Sequence, residues 1–597
     1  MNLRRWLLAA LLLTATAAQA LDRGAFTFTQ YRLTLNILPD RSGMDVLGSV
    51  TLRNDSKQPQ SSAVLQISSA LEWRAIRVNG EPAAFLAQDY RSDIDHTGLV
   101  REAIVTLDEP VAPGQSVTLE LHYAGNVPQD SSRLTRLGAP GKAAARSEWD
   151  QVSPEFTAFR GLGYLLWYPV AMESQTLAGG AKFFAALEEW KLRHHGVILT
   201  LVNGSRLVPE GDSHSNQIAA GNGIAESCAV KDCPVGYALD GPDPVIALGA
   251  YEKLSLGPAT VWHTGDQMQR ARDYATAAGS AAAQLEPWFG APKDPLLIVA
   301  LSDEHALPYE AGNVLLTPLR QQSQRELELA LAPLAARAAF HSPRAWLTQG
   351  VEGFAQALVR ENLENRHAAL AQMNLLTDAL AATEYPPVAA KNPPQEADSS
   401  SSKPSADAEN PETAPTPAAV PQAPLLYSTD QLVLRAKGAF VLWMLRDLAG
   451  DEAMRQALRG YDPQADTGRD YLESLLSAAS HRDLSAFFGD WVYNDRGLAR
   501  LRLLSAYVHK SVGKSETQPS WVVTLTAENQ GECWVETPLS VRYEQGERSE
   551  RLVLPPHQKG VLRIVSAQEP KDALVNDGSI PEPDVEQHII KIKGESN

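Results

Sequence analysis

Beyond the first twenty positions, the chain opens on strict alternation of apolar and polar residues. In "YRLTLNILPD", Tyr31, Leu33, Leu35 and Ile37 share one face and the residues between them the other, which is the period of a half-buried strand. "GSVTLRND" (48–55) and "SVTLELHYAG" (116–125) repeat the device, and turns rich in Gly, Asp, Asn and Pro separate the runs. The pattern predicts an antiparallel β-sandwich, continued through "HHGVILTLVNG" and "DPVIALGAYEKL" to fill a first domain over residues 21–255.

The period then changes. In "DQMQRARDYATAAGSAAAQLEPWFG", Met268, Ala271, Tyr274 and Ala275 fall on one helical stripe that Gly290 ends. "DPLLIVALSD" and "GNVLLTP" read as short strands. Two helices follow around "LAPLAARAAFHSPRAWLTQGVEGFAQAL" (331–358), the second continuing as one long helix through "VEGFAQALVRENLENRHAALAQMNLLTDALAA". Residues 386–424 are Pro-, Ser-, Ala- and acid-rich, too poor in apolar surface to repay ordering, and are expected to be a disordered insertion. Helices resume at "AKGAFVLWMLRDLAG" and "DEAMRQALRGY", with Gly450 closing one and Asp451 expected to cap the next. A mixed α/β and helical domain over 256–499 is thus expected, followed by a second β-sandwich over 500–597 carrying "WVVTLTAENQG", "ETPLSVRYEQG" and "RLVLPPHQKGVLRIVS". The fold class is multidomain α+β.

Residues 1–20 change the picture of where the chain works. Arg4 and Arg5 precede an apolar stretch, and Ala18-Gln19-Ala20 fits a small-x-small cleavage site after Ala20, so a secretory signal peptide is expected. No later apolar run is long enough to span a bilayer. A periplasmic or secreted protein without a transmembrane segment is the expectation. Its net charge of −18, from 71 acidic against 53 basic residues, repels phosphate backbones and anionic lipid and speaks against nucleic acid as a partner. In an oxidising compartment Cys228 and Cys233 of "CAVKDC" are close enough to bridge. Cys533 reads as a lone buried thiol.

Four stretches carry a resemblance. They are "YLLWYP" (164–169), "WLTQGVEGFA" (346–355), "AKGAFVLWMLRDLAGDEAMRQALRGY" (436–461) and the Phe-Phe-x-x-Trp of "LSAFFGDWVYNDRGLARLRL" (484–503). In this order and spacing the chain resembles the membrane alanyl aminopeptidase family of zinc gluzincins, which implies a thermolysin-like domain between the two sandwiches. The resemblance also implies four chemical parts. An H-E-x-x-H helix offers two imidazoles to one zinc and a general base to its water. A glutamate in a Trp-Leu-x-Glu-Gly turn is the third ligand. A Gly-Ala-Met-Glu-Asn strand holds the substrate amine, and a tyrosine before the Lys-Gly-Ala helix stabilises the tetrahedral intermediate.

The chain departs at each part. No H-E-x-x-H occurs in it. Counting back from the Trp-Leu turn, the best register sets Pro333 and Arg337 at the histidine positions and Leu334 at the base. The neighbouring register offers Ala332, Ala336 and Pro333. Gln349 stands at the third ligand, with only eleven residues, 338–348, between it and Arg337, fewer than in the family. On the amine-binding strand Asn313 is kept, Gly312 replaces the glutamate, and Glu310 lies two positions early. Arg435 takes the tyrosine position. Proline inside a helix costs about 3 kcal/mol, so Pro333 is expected to kink or restart its helix. A guanidinium about 4 Å from a dication at an effective dielectric near 20 would repel it by roughly 8 kcal/mol. No zinc and no other cofactor is therefore expected.

Other chemistries fare no better. His194 and His195 are adjacent and point apart on a strand, and His263, His305 and His341 are isolated, so no compensating metal site is expected. Glu352 is read as a solvated helix charge in preference to a stand-in ligand. "SVGK" (511–514) lacks the partner motifs of a serine-lysine hydrolase. Arg337 and Arg435 suggest a groove that grips a carboxylate in bidentate fashion, unless both pair locally with glutamates or point outward. The expected function is a zinc-less pseudoenzyme that binds a peptide or protein partner, with Glu310, Gly312, Asn313, Glu352 and Arg435 around the groove. The alternatives are an active zinc aminopeptidase with a rebuilt site and a structural cell-envelope scaffold.

Overall fold

The structure is a computed structural model that describes residues 21–154, 156–194, 198–203, 216–221, 224–228, 236–240, 245–249, 251–384, 423–511, 520–583 and 588–592. The expected signal peptide, residues 386–422 of the expected insertion and Cys233 of the expected bridge therefore lie outside the described residues, as does most of "SVGK". By contacts the chain divides into two compact units, residues 1–275 with 297–321 and residues 276–296 with 322–597.

In the first unit the alternation of Tyr31, Leu33, Leu35 and Ile37 becomes a strand, Phe26–Leu38, with all four side chains buried. It lies inside a seven-stranded sheet, between Ile198–Asn203 and Gly43–Asn54. A three-stranded antiparallel sheet (Gln60–Ser68, Leu99–Val111, Phe85–Arg91) shares its hydrophobic cluster through Leu65, Ile67, Val100 and Val105. The seven-stranded sheet is antiparallel except where Phe26–Leu38 runs parallel to Ile198–Asn203. A parallel pair needs a crossover, and the helix Ala181–Arg193 lies in the intervening chain. A smaller mixed sheet runs Glu252–Leu256, Ala259–His263, Leu296–Ala300, Val314–Thr317, Tyr309–Ala311, with the third and fourth strands parallel.

"YLLWYP" acts as a buried tie in this unit. The Tyr123 hydroxyl donates to the Trp167 carbonyl (2.9 Å) and the Tyr31 hydroxyl to that of Pro169 (2.7 Å). The Leu166 amide donates to buried Asp95 at 2.8 Å.

The second unit is helical, then β. The expected single long helix is three: Ala345–Leu363, Arg366–Asn374 and Thr377–Glu384. Its apolar period runs on, but Asn365 competes locally with the backbone and caps the second helix, its side chain accepting from the Ala368 amide at 2.9 Å. Gly450, at φ 85°, closes Gly438–Ala449 and is itself the N-cap of Asp451–Arg459. Asp451 thus does not cap as expected; its carboxylate is taken by Arg446 at 2.7 Å. Two antiparallel sheets follow, Leu501–Ser511, Ser520–Asn529, Lys559–Ser566 and Glu547–Leu554, Val535–Arg542, Asp572–Val575, Ile589–Lys591. Cys533 is buried among them. Among the described residues no helix is long and apolar enough to cross a membrane.

Candidate functional site

Three helical segments of the second unit carry the candidate positions: Pro333, Leu334 and Arg337 on the first, Gln349 and Glu352 on the second, Arg435 on the third. Gln324–Ala339 is opened by a capping box, Ser323 Oγ accepting from the Glu326 amide while the Glu326 carboxylate accepts from that of Ser323. It runs unbroken through Pro333, against the expectation of a restart. Proline withholds the N–H that would bond the carbonyl four residues earlier, Leu329. That carbonyl instead accepts from Gln356 Nε2 at 3.1 Å, a side chain of Ala345–Leu363. A side-chain amide from the neighbouring helix satisfies the acceptor that the proline orphans, so the helix continues.

Ala345–Leu363 in turn crosses the start of Gly438–Ala449 at glycines. A Cβ on Gly350 would stand 2.9 Å from the Gly438 backbone, and one on Gly438 2.9 Å from the Gly350 Cα and the Trp346 carbonyl. Gly353 meets Ala439 as closely. The glycine of the Trp-Leu turn and that of Lys-Gly-Ala are therefore the two halves of one backbone contact. Just before it the chain makes a π-helical turn, Val433–Lys437. That turn carries Arg435 and the buried Lys437, whose ammonium pairs with Asp495 and lies 5.9 Å from the Trp491 ring centroid.

This packing brings Arg337, Glu352 and Arg435 together. Glu352 is only 6% exposed, so it is not the solvated helix charge expected. Its Oε2 lies 3.3 Å from Arg337 NH1 and 2.7 Å from Arg435 NH2. A carboxylate buried at this depth stays tolerable only with such partners. The Arg337 side chain is buried beside it, whereas that of Arg435 is 55% exposed.

The zinc of the resembled family does not fit here. In either register the helix offers no donor but Arg337, which bonds as a cation to Glu352. Leu334, Ala332 and Ala336 are buried without ligand atoms, and Gln349 presents a neutral amide. The loop before the Trp-Leu turn is braced otherwise: Arg344 holds Asp466 at 2.8 Å, and the Ser342 hydroxyl meets that of Tyr461 at 2.7 Å. Tyr461 also donates to Asp466. Burial together with that carboxylate pushes the Tyr461 phenol well up.

Glu310, Gly312 and Asn313 belong to the first unit. Glu310 sits in the strand Tyr309–Ala311, Gly312 takes φ 53° in the turn, and buried Asn313 accepts the Leu297 amide on its carbonyl at 3.0 Å. His194 stacks on Trp190 at 3.8 Å between centroids, and buried His263 bonds the Thr264 carbonyl through Nδ1 at 2.7 Å. His305 and His341 pair with Glu304 and Asp294. A cluster that the sequence reading missed is His96, Glu148 and Asp150, all buried in the first unit. "SDIDHTG" reads as a turn, and nothing local links it to "SEWDQ".

No protein-family model and no curated protein matches the chain. Among solved structures it is similar to an M1 zinc metallopeptidase from Deinococcus radiodurans, at 15% identity over 79% of this chain and 95% of that one, TM-score 0.42. It is similar also to a glutamate-to-alanine mutant of that enzyme, at 15% identity over 80% and 96%, TM-score 0.41. The same mutant bound to a Tyr-Ser-Ala substrate gives 16% identity over 79% and 95%, TM-score 0.40.

Proposed function

We propose that this chain is an exported, non-catalytic relative of the membrane alanyl aminopeptidases that holds a peptide or protein partner by an acidic group. In that reading residues 256–499 are a thermolysin-like domain without its zinc, and 21–255 and 500–597 are its flanking β-sandwiches. One observation carries the proposal: Glu352 meets two guanidiniums, Arg337 at a position the resemblance gives to a histidine and Arg435 at the one it gives to the tyrosine. The outer guanidinium, Arg435, is 55% exposed. A guanidinium that is held at its base by Glu352 and half exposed suits recognition of a ligand carboxylate.

The test is binding of a labelled peptide with an acidic end, against its amidated, neutral counterpart, measured by fluorescence anisotropy. Arg435→Ala is expected to weaken the acidic peptide by about 1.5–3 kcal/mol, the worth of a charged hydrogen bond, and to leave the neutral one unchanged. Equal affinity of wild type and variant would sink the proposal. Hydrolysis of an alanine anilide that a chelator abolishes would replace it with the active-peptidase reading.

A further inference from the structure

We propose that the first unit carries a buried site for a divalent transition-metal ion of the zinc class, built by His96, Glu148 and Asp150. Each offers one ligand atom, and these atoms lie within 4.8 Å of one another. His96 is 0% exposed, yet among the described residues neither of its ring nitrogens has a hydrogen-bond partner. Glu148 Oε2, on a side chain 1% exposed, likewise accepts no hydrogen bond, the Arg160 guanidinium standing 4.0 Å off. Buried polar atoms left without partners cost stability and call for an explanation. Here an imidazole and a carboxylate oxygen are left so at one point, with a second carboxylate beside them.

The surroundings hold these atoms in place. The His96 amide donates to the Tyr164 carbonyl at 2.7 Å, and the His96 carbonyl accepts from the Arg133 amide at 3.4 Å, so the ring is positioned by its backbone. Glu148 Oε1 accepts from Arg133 Nε (2.9 Å) and NH2 (2.7 Å), which leaves Oε2 as the oxygen without a hydrogen bond. Arg133 is fixed further by the Asp93 and Gly163 carbonyls. Asp150 accepts from the Arg160 amide at 2.6 Å and from its guanidinium at 2.5–3.2 Å. At Glu148 such bonds go to one oxygen only, the arrangement that orients metal ligands elsewhere, whereas both Asp150 oxygens accept from Arg160 and Asp150 would ligate through a remaining lone pair.

Charge must also be met, because the two arginines already balance the two carboxylates. A metal bonds its ligand atoms at about 2.0–2.2 Å. The guanidiniums are farther away, and Coulomb attraction falls with distance, so the nearer anions prevail. One imidazole with two carboxylates suits zinc-class ions, and the imidazole disfavours the hard cations calcium and magnesium. The ion would clamp the buried 92–98 loop to the 148–150 segment and, being enclosed, would not serve hydrolysis.

Chelator-stripped full-length protein is titrated with zinc against a chromophoric chelator, and metal content is measured on untreated protein. About one equivalent is expected in wild type, weakened by about tenfold or more in His96→Ala and in Glu148→Gln, and kept in the exposed-site control His305→Ala. Should His96→Ala fail to fold, a zinc-dependent rise in the unfolding temperature of stripped wild type, absent with magnesium, supports the site. No zinc binding by wild type, or zinc retained in both variants, overturns it. Neither outcome bears on peptide binding at Arg435, which is measured separately.

Discussion

Glu352→Gln isolates what the buried carboxylate does for the second unit. The change keeps volume and shape but removes the anion on which Arg337 and Arg435 converge. At 3.3 Å the Arg337 contact corresponds to an attraction of roughly 5 kcal/mol at an effective dielectric of 20. The Arg435 contact is shorter, 2.7 Å, but that side chain is 55% exposed, so screening reduces its share to about 1 kcal/mol or less. The larger share of the cost therefore falls on Arg337, whose 9%-exposed guanidinium loses this carboxylate, and about 1–3 kcal/mol is expected. Arg435→Gln should cost about 1 kcal/mol at most. Replacing both buried members, Glu352→Leu with Arg337→Met, should recover most of the loss, because two charges then no longer need burying.

A chain of two units gives no single two-state transition, so the assay is native-state hydrogen exchange on the amides of Gln324–Ala339 and Ala345–Leu363. A drop in opening free energy of less than about 1 kcal/mol in Glu352→Gln would refute the reasoning. So would a double variant as impaired as the single one, since the damage would then not come from the lost Arg337–Glu352 pair.

Three further outcomes follow from particular contacts. Gln356→Leu strips the Leu329 carbonyl of its donor and should cost about 1–3 kcal/mol, whereas in a Pro333→Ala background, where the backbone N–H returns, the same change should cost much less. Equal costs in the two backgrounds, by hydrogen exchange, would contradict this. Gly350→Ala drives a methyl into the Gly438 backbone and should destabilise the helix crossing by about 1–3 kcal/mol; an unchanged unfolding temperature would count against the close contact. In the first unit, burial holds the His194 imidazole down to about 4 from 6.5. The unfolded chain takes up a proton below about 6.5 and the folded one only near 4, so stability present above that window is lost as pH falls through it, about 3 kcal/mol in all. His194→Phe should flatten that slope in urea midpoints between pH 7 and about 4.5, and an unaltered slope would exclude this histidine as its cause.

Which of these features could be read beforehand depends on how far their causes reach along the chain. The face of Tyr31, Leu33, Leu35 and Ile37 needs only its own period, and it was legible. The helical turns at 331–358 and the stop at Gly290 were legible for the same reason. The break at Asn365 was not, because the apolar period continues across it and one side-chain cap decides. At Pro333 the local penalty was visible while its remedy, Gln356, sits on another helix. Glu352 looked like a surface charge because its partners are fifteen residues before it and 83 after. His96 was passed over for want of any local link to Glu148 and Asp150.

The same distinction separates the residues that carry the resemblance from those at which the chain departs from it. Gly350 and Gly438 are required by a backbone contact of about 3 Å that no side chain can enter. Phe487 and Trp491 stack at 6.2 Å in the core next to Lys437. These residues serve helix packing whether or not a metal is held. Histidines and glutamates at a zinc site serve only the metal, and without it buried charges are costly unless paired. Glycines and aromatics that pack helices can therefore be kept where ligand positions differ, and any charge at such positions has to be paired, as Arg337 is with Glu352. A match carried by glycines and aromatics accordingly reports how helices cross, and the donor atoms have to be read separately before any chemistry is assigned.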